Sequence, residues 1–105
     1  MFKVTTSGVL TTLVSFTGTS GTLLGSSPRA SLLLASDGNF YGTTATGGAA
    51  GLGTIFRLTP AGALTTLAQF TGTTGAFPGA TPLASLVQGA DGHLYGTTSL
   101  GGTNN

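Results

Sequence analysis

One 54-residue pattern is written almost twice in this chain. Phe2 recurs as Phe56, Leu10-Thr11-Thr12-Leu13 as Leu64-Thr65-Thr66-Leu67, and Phe16-Thr17-Gly18 as Phe70-Thr71-Gly72. Pro28 recurs as Pro82, Ala30-Ser31-Leu32 as Ala84-Ser85-Leu86, Asp37-Gly38 as Asp91-Gly92, and Tyr41-Gly42-Thr43-Thr44 as Tyr95-Gly96-Thr97-Thr98. Residues 1–51 set against 55–105 agree at 25 of 51 positions without a gap. Self-similarity at such a period marks a repeat architecture, in which each unit buries its apolar face against the next. Glycine makes up 19 of 105 residues, and its recurrence in register excludes a disordered low-complexity tract. The chain reads as one domain over 1–105, with repeats at 1–54 and 55–105. The second lacks the equivalents of Leu52-Gly53-Thr54, as if the segment had been cut from a longer array.

Each repeat reads as four short strands, because its apolar and β-branched runs are brief and separated by turn residues. Strand a is expected over 30–35 and 84–89, b over 39–44 and 93–98, c over 2–5 and 54–59, and d over 9–16 and 63–70. The chain order is then c-d/a-b-c-d/a-b, an all-β class. Asp37-Gly38 and Asp91-Gly92 read as two-residue hairpin turns, since glycine accepts the positive φ they need. Thr59-Pro60-Ala61-Gly62 reads as a second tight turn, with Thr5-Thr6-Ser7-Gly8 its weaker copy. Four-stranded units of roughly 40–50 residues are the size of β-propeller blades. The expected fold is therefore a propeller fragment of two four-stranded blades. Small residues gather on strand a (Ala30, Ser31, Ala84, Ser85, Gly89), where blades crowd towards a central axis.

Composition excludes most chemistry. Charged residues are 5% of the chain, against about 25% in ordinary soluble domains. Without cysteine, disulfide frameworks, thiolate metal sites and cysteine nucleophiles are ruled out. The acidic side chains are Asp37 and Asp91 alone, and His93 is the sole histidine. With so few acids, bases and nucleophile partners, no enzyme activity and no cofactor or metal site is expected. Lys3, Arg29 and Arg57 are scattered, which argues against nucleic-acid binding. No apolar run approaches the length of a membrane helix, so no membrane partner is expected.

The runs Asp37-Gly38-Asn39-Phe40-Tyr41-Gly42-Thr43-Thr44 and Asp91-Gly92-His93-Leu94-Tyr95-Gly96-Thr97-Thr98 carry a resemblance, together with Gly47-Gly48, Gly53-Thr54-Ile55-Phe56-Arg57-Leu58-Thr59-Pro60, Leu64-Thr65-Thr66-Leu67 and Phe70-Thr71-Gly72. The pattern resembles the glycine-rich GloVer tandem repeats of large bacterial surface proteins, common in Verrucomicrobia and often joined to varied C-terminal anchors. The likeness covers essentially the whole chain. It implies a propeller-like module of secreted or cell-surface proteins and brings no catalytic residues with it. A weaker resemblance extends to the NHL and kelch propeller classes.

Two blades cannot close a ring that takes 4–8. The chain begins with c-d and finishes with a-b, which leaves strand c at one end and strand b at the other as open edges. The expected repair is pairing of strand b of one copy with strand c of the next, through Phe2 and Val4 on one side and Leu94, Tyr95 and Thr97 on the other. The expected partner is thus the chain itself, with three copies giving six blades or four giving eight. Its rival is a monomer whose half-blades collapse into a small sandwich.

The function expected is that of a structural, self-assembling module, and the alternative is a carbohydrate- or peptide-binding, lectin-like propeller. For the alternative, the long d–a loops (17–28 and 71–82) and the b–c connections supply the candidates. They are Phe77, whose ring could stack on a sugar or pin its own loop, with Thr73, Thr103 and Asn104 as hydrogen-bonding groups. Asp37 and Asp91 are read as acceptors of backbone N–H groups within their turns. His93 is read as exposed, with no visible partner for a triad or a metal set, and Tyr41 and Tyr95 as packing residues with the hydroxyl at a blade edge.

Overall fold

The computed structural model describes residues 1–19, 21 and 24–102, and among these every regular element is a strand. The strands are β1 (Phe2–Val4), β2 (Leu10–Thr12), β3 (Leu33–Leu34), β4 (Phe40–Thr44), β5 (Thr54–Leu58), β6 (Leu64–Gln69), β7 (Val87–Gln88) and β8 (Leu94–Tyr95). They form three antiparallel sheets: β1-β2, then β3-β4-β5-β6 in chain order, then β7-β8. The expected order c-d/a-b-c-d/a-b is therefore the order observed.

Strand lengths differ from expectation: strand a, expected over 30–35 and 84–89, is two residues long in both repeats, and strands b and d differ in length between their copies. β4 pairs over five residues with β5, from Phe40↔Leu58 to Thr44↔Thr54. Its copy β8 has only β7 beside it and shrinks to Leu94–Tyr95, leaving 96–98 outside the ladder. β6 runs for six residues against the five-residue β5, while its copy β2 pairs for three with the three-residue β1. Backbone groups are ordered into strands where a ladder partner satisfies them.

The tight turns also differ in type. In the first repeat, Gly38 N–H donates to Ala35 O and Ala35 N–H to Asn39 O; Gly92, Gly89 and His93 repeat the pattern. The loops are thus three residues, 36–38 and 90–92, with the glycine closing a bulge at φ 85° and 84°. Asp37 favours this longer loop because its carboxylate reaches past the glycine to Asn39 N–H at 2.9 Å.

The core lies between the first half-sheet and the central one. Val14, Phe56 and Leu58 are buried together, with Met1, Leu13, Phe16, Phe40 and Leu64 packed against them. Phe56 and Leu58 alternate along β5 with Ile55 and Arg57, which face the other way and are half-buried. Full burial of side chains of this size stabilises by about 1.5–3 kcal/mol each.

Sixteen of the 19 glycines have positive φ and shape the turns and loops. The other three are Gly42, Gly89 and Gly96, and each underlies a side chain. A Cβ at Gly42 would sit 2.6 Å from the Phe56 ring, and one at Gly89 2.8 Å from the Tyr95 ring. Glycine content is here a requirement of backbone shape and close packing.

Candidate functional site

Two sheet edges stand out because their equivalents in the central sheet, β5 and β4, are flanked on both sides. β1 bonds only β2, and β8 bonds only β7. Positions related by 54 residues show what each edge lacks. Phe56, flanked by strands on both sides, is 1% exposed, whereas its equivalent Phe2 is 64% exposed. Leu58 is 1% exposed and its equivalent Val4 is 55%. On the opposite edge, Thr43 and Thr44 are buried while Thr97 is exposed and Thr98 half-buried. Leu94 is half-buried and Tyr95 exposed. Identical local chemistry thus reaches opposite burial, because burial is a property of the neighbouring strand and not of the residue.

The interior of a flanked pair is also polar in a specific way. Thr44 Oγ1 and Thr54 Oγ1 lie 2.8 Å apart, fully buried, and Thr54 N–H donates to Thr44 Oγ1 at 3.1 Å. Thr44 Oγ1 in turn donates to Thr46 O at 3.0 Å. Each hydroxyl here closes a hydrogen bond that burial would otherwise leave open.

The loops of the two repeats close in parallel fashion. Gly18 and Gly25 exchange backbone hydrogen bonds across the first d–a loop, as Gly72 and Gly79 do across the second. Each loop is then tied to the neighbouring b–c segment, through Ser26 and Thr46 in one repeat and Ala80 and Leu100 in the other.

A model of the Gloeobacter/Verrucomicrobia repeat matches residues 1–105. The chain belongs to this family. No curated protein and no solved structure matches it. Within this Gloeobacter/Verrucomicrobia repeat the residues expected to bind a ligand are spread out. Phe77 and Thr73 lie exposed in the second long loop, where Thr71 N–H donates to Phe77 O. Thr103 and Asn104 lie outside the described residues, as does Leu23, the equivalent of Phe77.

The Asp-Gly turns of the repeat hold more than a backbone bond. Asp37 accepts from Asn39 N–H and, at 2.6 Å, from the Tyr41 hydroxyl. Asp91 accepts from His93 N–H and, at 2.7 Å, from the Tyr95 hydroxyl. The tyrosine hydroxyl bond holds each carboxyl below its ordinary range, and the carboxylate in turn pushes each tyrosine up. The tyrosines are therefore turn clasps as well as packing residues, and the D-G-x-x-Y spacing present in both repeats was the signal for it. His93 is exposed as expected, and its Nδ1 lies 3.0 Å from Asp91 Oδ2. These groups border a shallow cleft of about 440 Å³ between the tight turns, lined by Asp37, Tyr41, Gln88 and His93 among others. Among the described residues no group of three or more metal-ligating acids and histidines comes together.

Proposed function

We propose that this chain is a structural, self-assembling β-propeller repeat module without catalytic activity, in which copies join edge to edge to complete one another's blades and close a ring. One observation carries the reading: the side chains that β5 buries when β4 stands beside it are exposed in its copy β1, which lacks that neighbour. An open strand edge with apolar residues on it is a template for pairing, and this one carries a single charged residue, Lys3. A second support is rotational. Ser31 N–H donates to Ser85 Oγ at 3.1 Å, so equivalent residues of successive repeats touch just ahead of β3 and β7. In a propeller it is the innermost strands that approach one another in this way. A head-to-tail contact between copies closes when the rotation per step divides a full turn, and three or four copies supply six or eight blades.

Light scattering coupled to size exclusion tests this at micromolar concentration. Three or four times the chain mass is expected, and a mass of one chain removes the proposal.

A second reading rests on Phe77. Its ring is 49% exposed in a long loop, which is not the burial of a side chain pinning that loop. A glycan array probed with the assembled protein, set against Phe77→Ala, tests stacking on a sugar; uniform silence leaves the structural reading alone.

A further inference from the structure

We propose that the cleft of about 270 Å³ between the central sheet and β7-β8 is the seat for the Phe2 ring of a second copy of this chain, laid over Gly96. The inference rests on the assembly reading and names the anchor and socket through which it works.

The molecule contains its own template. The Phe56 ring lies over Gly42, so closely that a Cβ there would come 2.6 Å from Cζ and 2.9 Å from Leu32 Cδ2. Phe16 meets Phe56 with ring centroids 5.4 Å apart and planes tilted by 58°. Phe40 packs against the same core. Adding 54 to Gly42, Leu32, Phe16 and Phe40 gives Gly96, Leu86, Phe70 and Leu94. All four line the cleft. At Gly96 a Cβ would meet only Leu86, with no aromatic ring above it. The socket is formed and its ring is missing, while the one equivalent ring, Phe2, stands exposed at the opposite edge.

The register follows from the same template. Phe40↔Leu58, Tyr41↔Arg57 and Gly42↔Phe56 in the central sheet become Leu94↔Val4, Tyr95↔Lys3 and Gly96↔Phe2 between copies. This places Lys3 of one copy opposite Tyr95 of the next, whose hydroxyl is held by the Asp91 carboxylate. Lys3 then faces the Tyr95–Asp91 pair across the junction, as Arg57 stands opposite Tyr41, whose hydroxyl bonds Asp37, within the chain. That complementarity, and a cleft walled by four equivalents of the Phe56 site, select a second copy over an unrelated apolar ligand.

Phe2→Ala and Gly96→Leu test the anchor and the socket by analytical ultracentrifugation beside the parent chain. Both are expected to weaken association at least about tenfold, as for a buried aromatic hot spot. Since the chain has no cysteine, Val4→Cys with Leu94→Cys reports the register. Opposed Cα atoms of an antiparallel pair stand about 4.5–5.5 Å apart, within disulfide reach, so oxidation should link copies. Val4→Cys with Thr97→Cys, out of register, should not. A monomeric parent chain overturns the assembly reading and this one together. An assembled parent with unchanged association in either single variant, or with no preference between the cysteine pairs, overturns only the Phe2 seat.

Discussion

Ser31 and Ser85 hold the same place in successive repeats, and they are hydrogen-bonded to each other, Ser31 N–H donating to Ser85 Oγ at 3.1 Å. Three residues beyond Ser85, Gln88 reinforces the tie. Its Oε1 accepts from Ser36 N–H at 2.9 Å, and its Nε2 donates to Ser36 Oγ at 3.0 Å and to Gly92 O at 3.1 Å. The repeat equivalent of Gln88 is Leu34, an exposed side chain that cannot make these bonds. One polar side chain thus adds a tie between the third sheet and the second that the other repeat cannot make.

Gln88→Ala should cost about 1–2 kcal/mol, since net contributions of exposed hydrogen bonds are near 1 kcal/mol each and not additive. Ser85→Ala, which removes one bond, should cost less. Urea denaturation of both variants checks the order, and equal costs would show that the Gln88 network does not couple the sheets.

Equivalent residues should respond unequally to truncation. Phe56→Ala empties a fully buried site and should destabilise the chain by about 3–5 kcal/mol. Phe2→Ala removes a ring that is mostly in solvent and should change the stability of the dissociated chain by under about 0.5 kcal/mol. Denaturation at concentrations low enough to keep the chains apart makes the comparison.

Thr44→Val keeps the shape of the side chain but leaves Thr54 N–H and the Thr54 hydroxyl without their acceptor in a buried place. Such a loss costs about 1–3 kcal/mol. Thr98→Val, at the equivalent half-buried position of the open edge, should cost much less. Thermal melts of the two variants decide this.

The Asp-Gly turns predict a pH response with a definite sign. Bonds from Tyr41 first and then Asn39 hold the Asp37 carboxyl below its ordinary 3.8, and bonds from Tyr95 first and then His93 do the same for Asp91. A lowered folded value means the stabilisation is fully present above the ordinary range and is lost as pH falls through the folded value. Tyr41 and Tyr95 are raised above 10.0, so their share is present below that pH and is lost as pH climbs through the folded value. Carboxyl carbon NMR titration checks it: Tyr41→Phe should move the Asp37 midpoint upward and leave Asp91 where it was.

Much of the architecture was legible because the repeat prints it twice. Turn residues at matching positions located the strand boundaries, and the pairing order followed from short connections between neighbouring strands. The three-residue form of the Asp-Gly loops was not legible, because it depends on a carboxylate reaching beyond the glycine. The Asp–Tyr clasp was spelled out at fixed spacing in both repeats, yet a tyrosine in mid-strand reads as packing until its hydroxyl is seen. Thr103 and Asn104 belong to the expected ligand set but not to the described residues, so that set is represented in the fold by Thr73 and Phe77.

Local order in this chain was determined by the sequence itself: period, strand succession and the positions of turns depend on neighbouring residues and backbone sterics, which the repeat states twice. Burial was decided only by the tertiary structure. Phe2 and Phe56 share residue type and place in the repeat, and nothing near them in the chain separates a ring in solvent from one laid over a glycine. The difference arises because burial depends on what stands alongside and what packs on top: Phe56 has β4 beside β5 and Val14 and Phe16 against it, and Phe2 has no strand beyond β1.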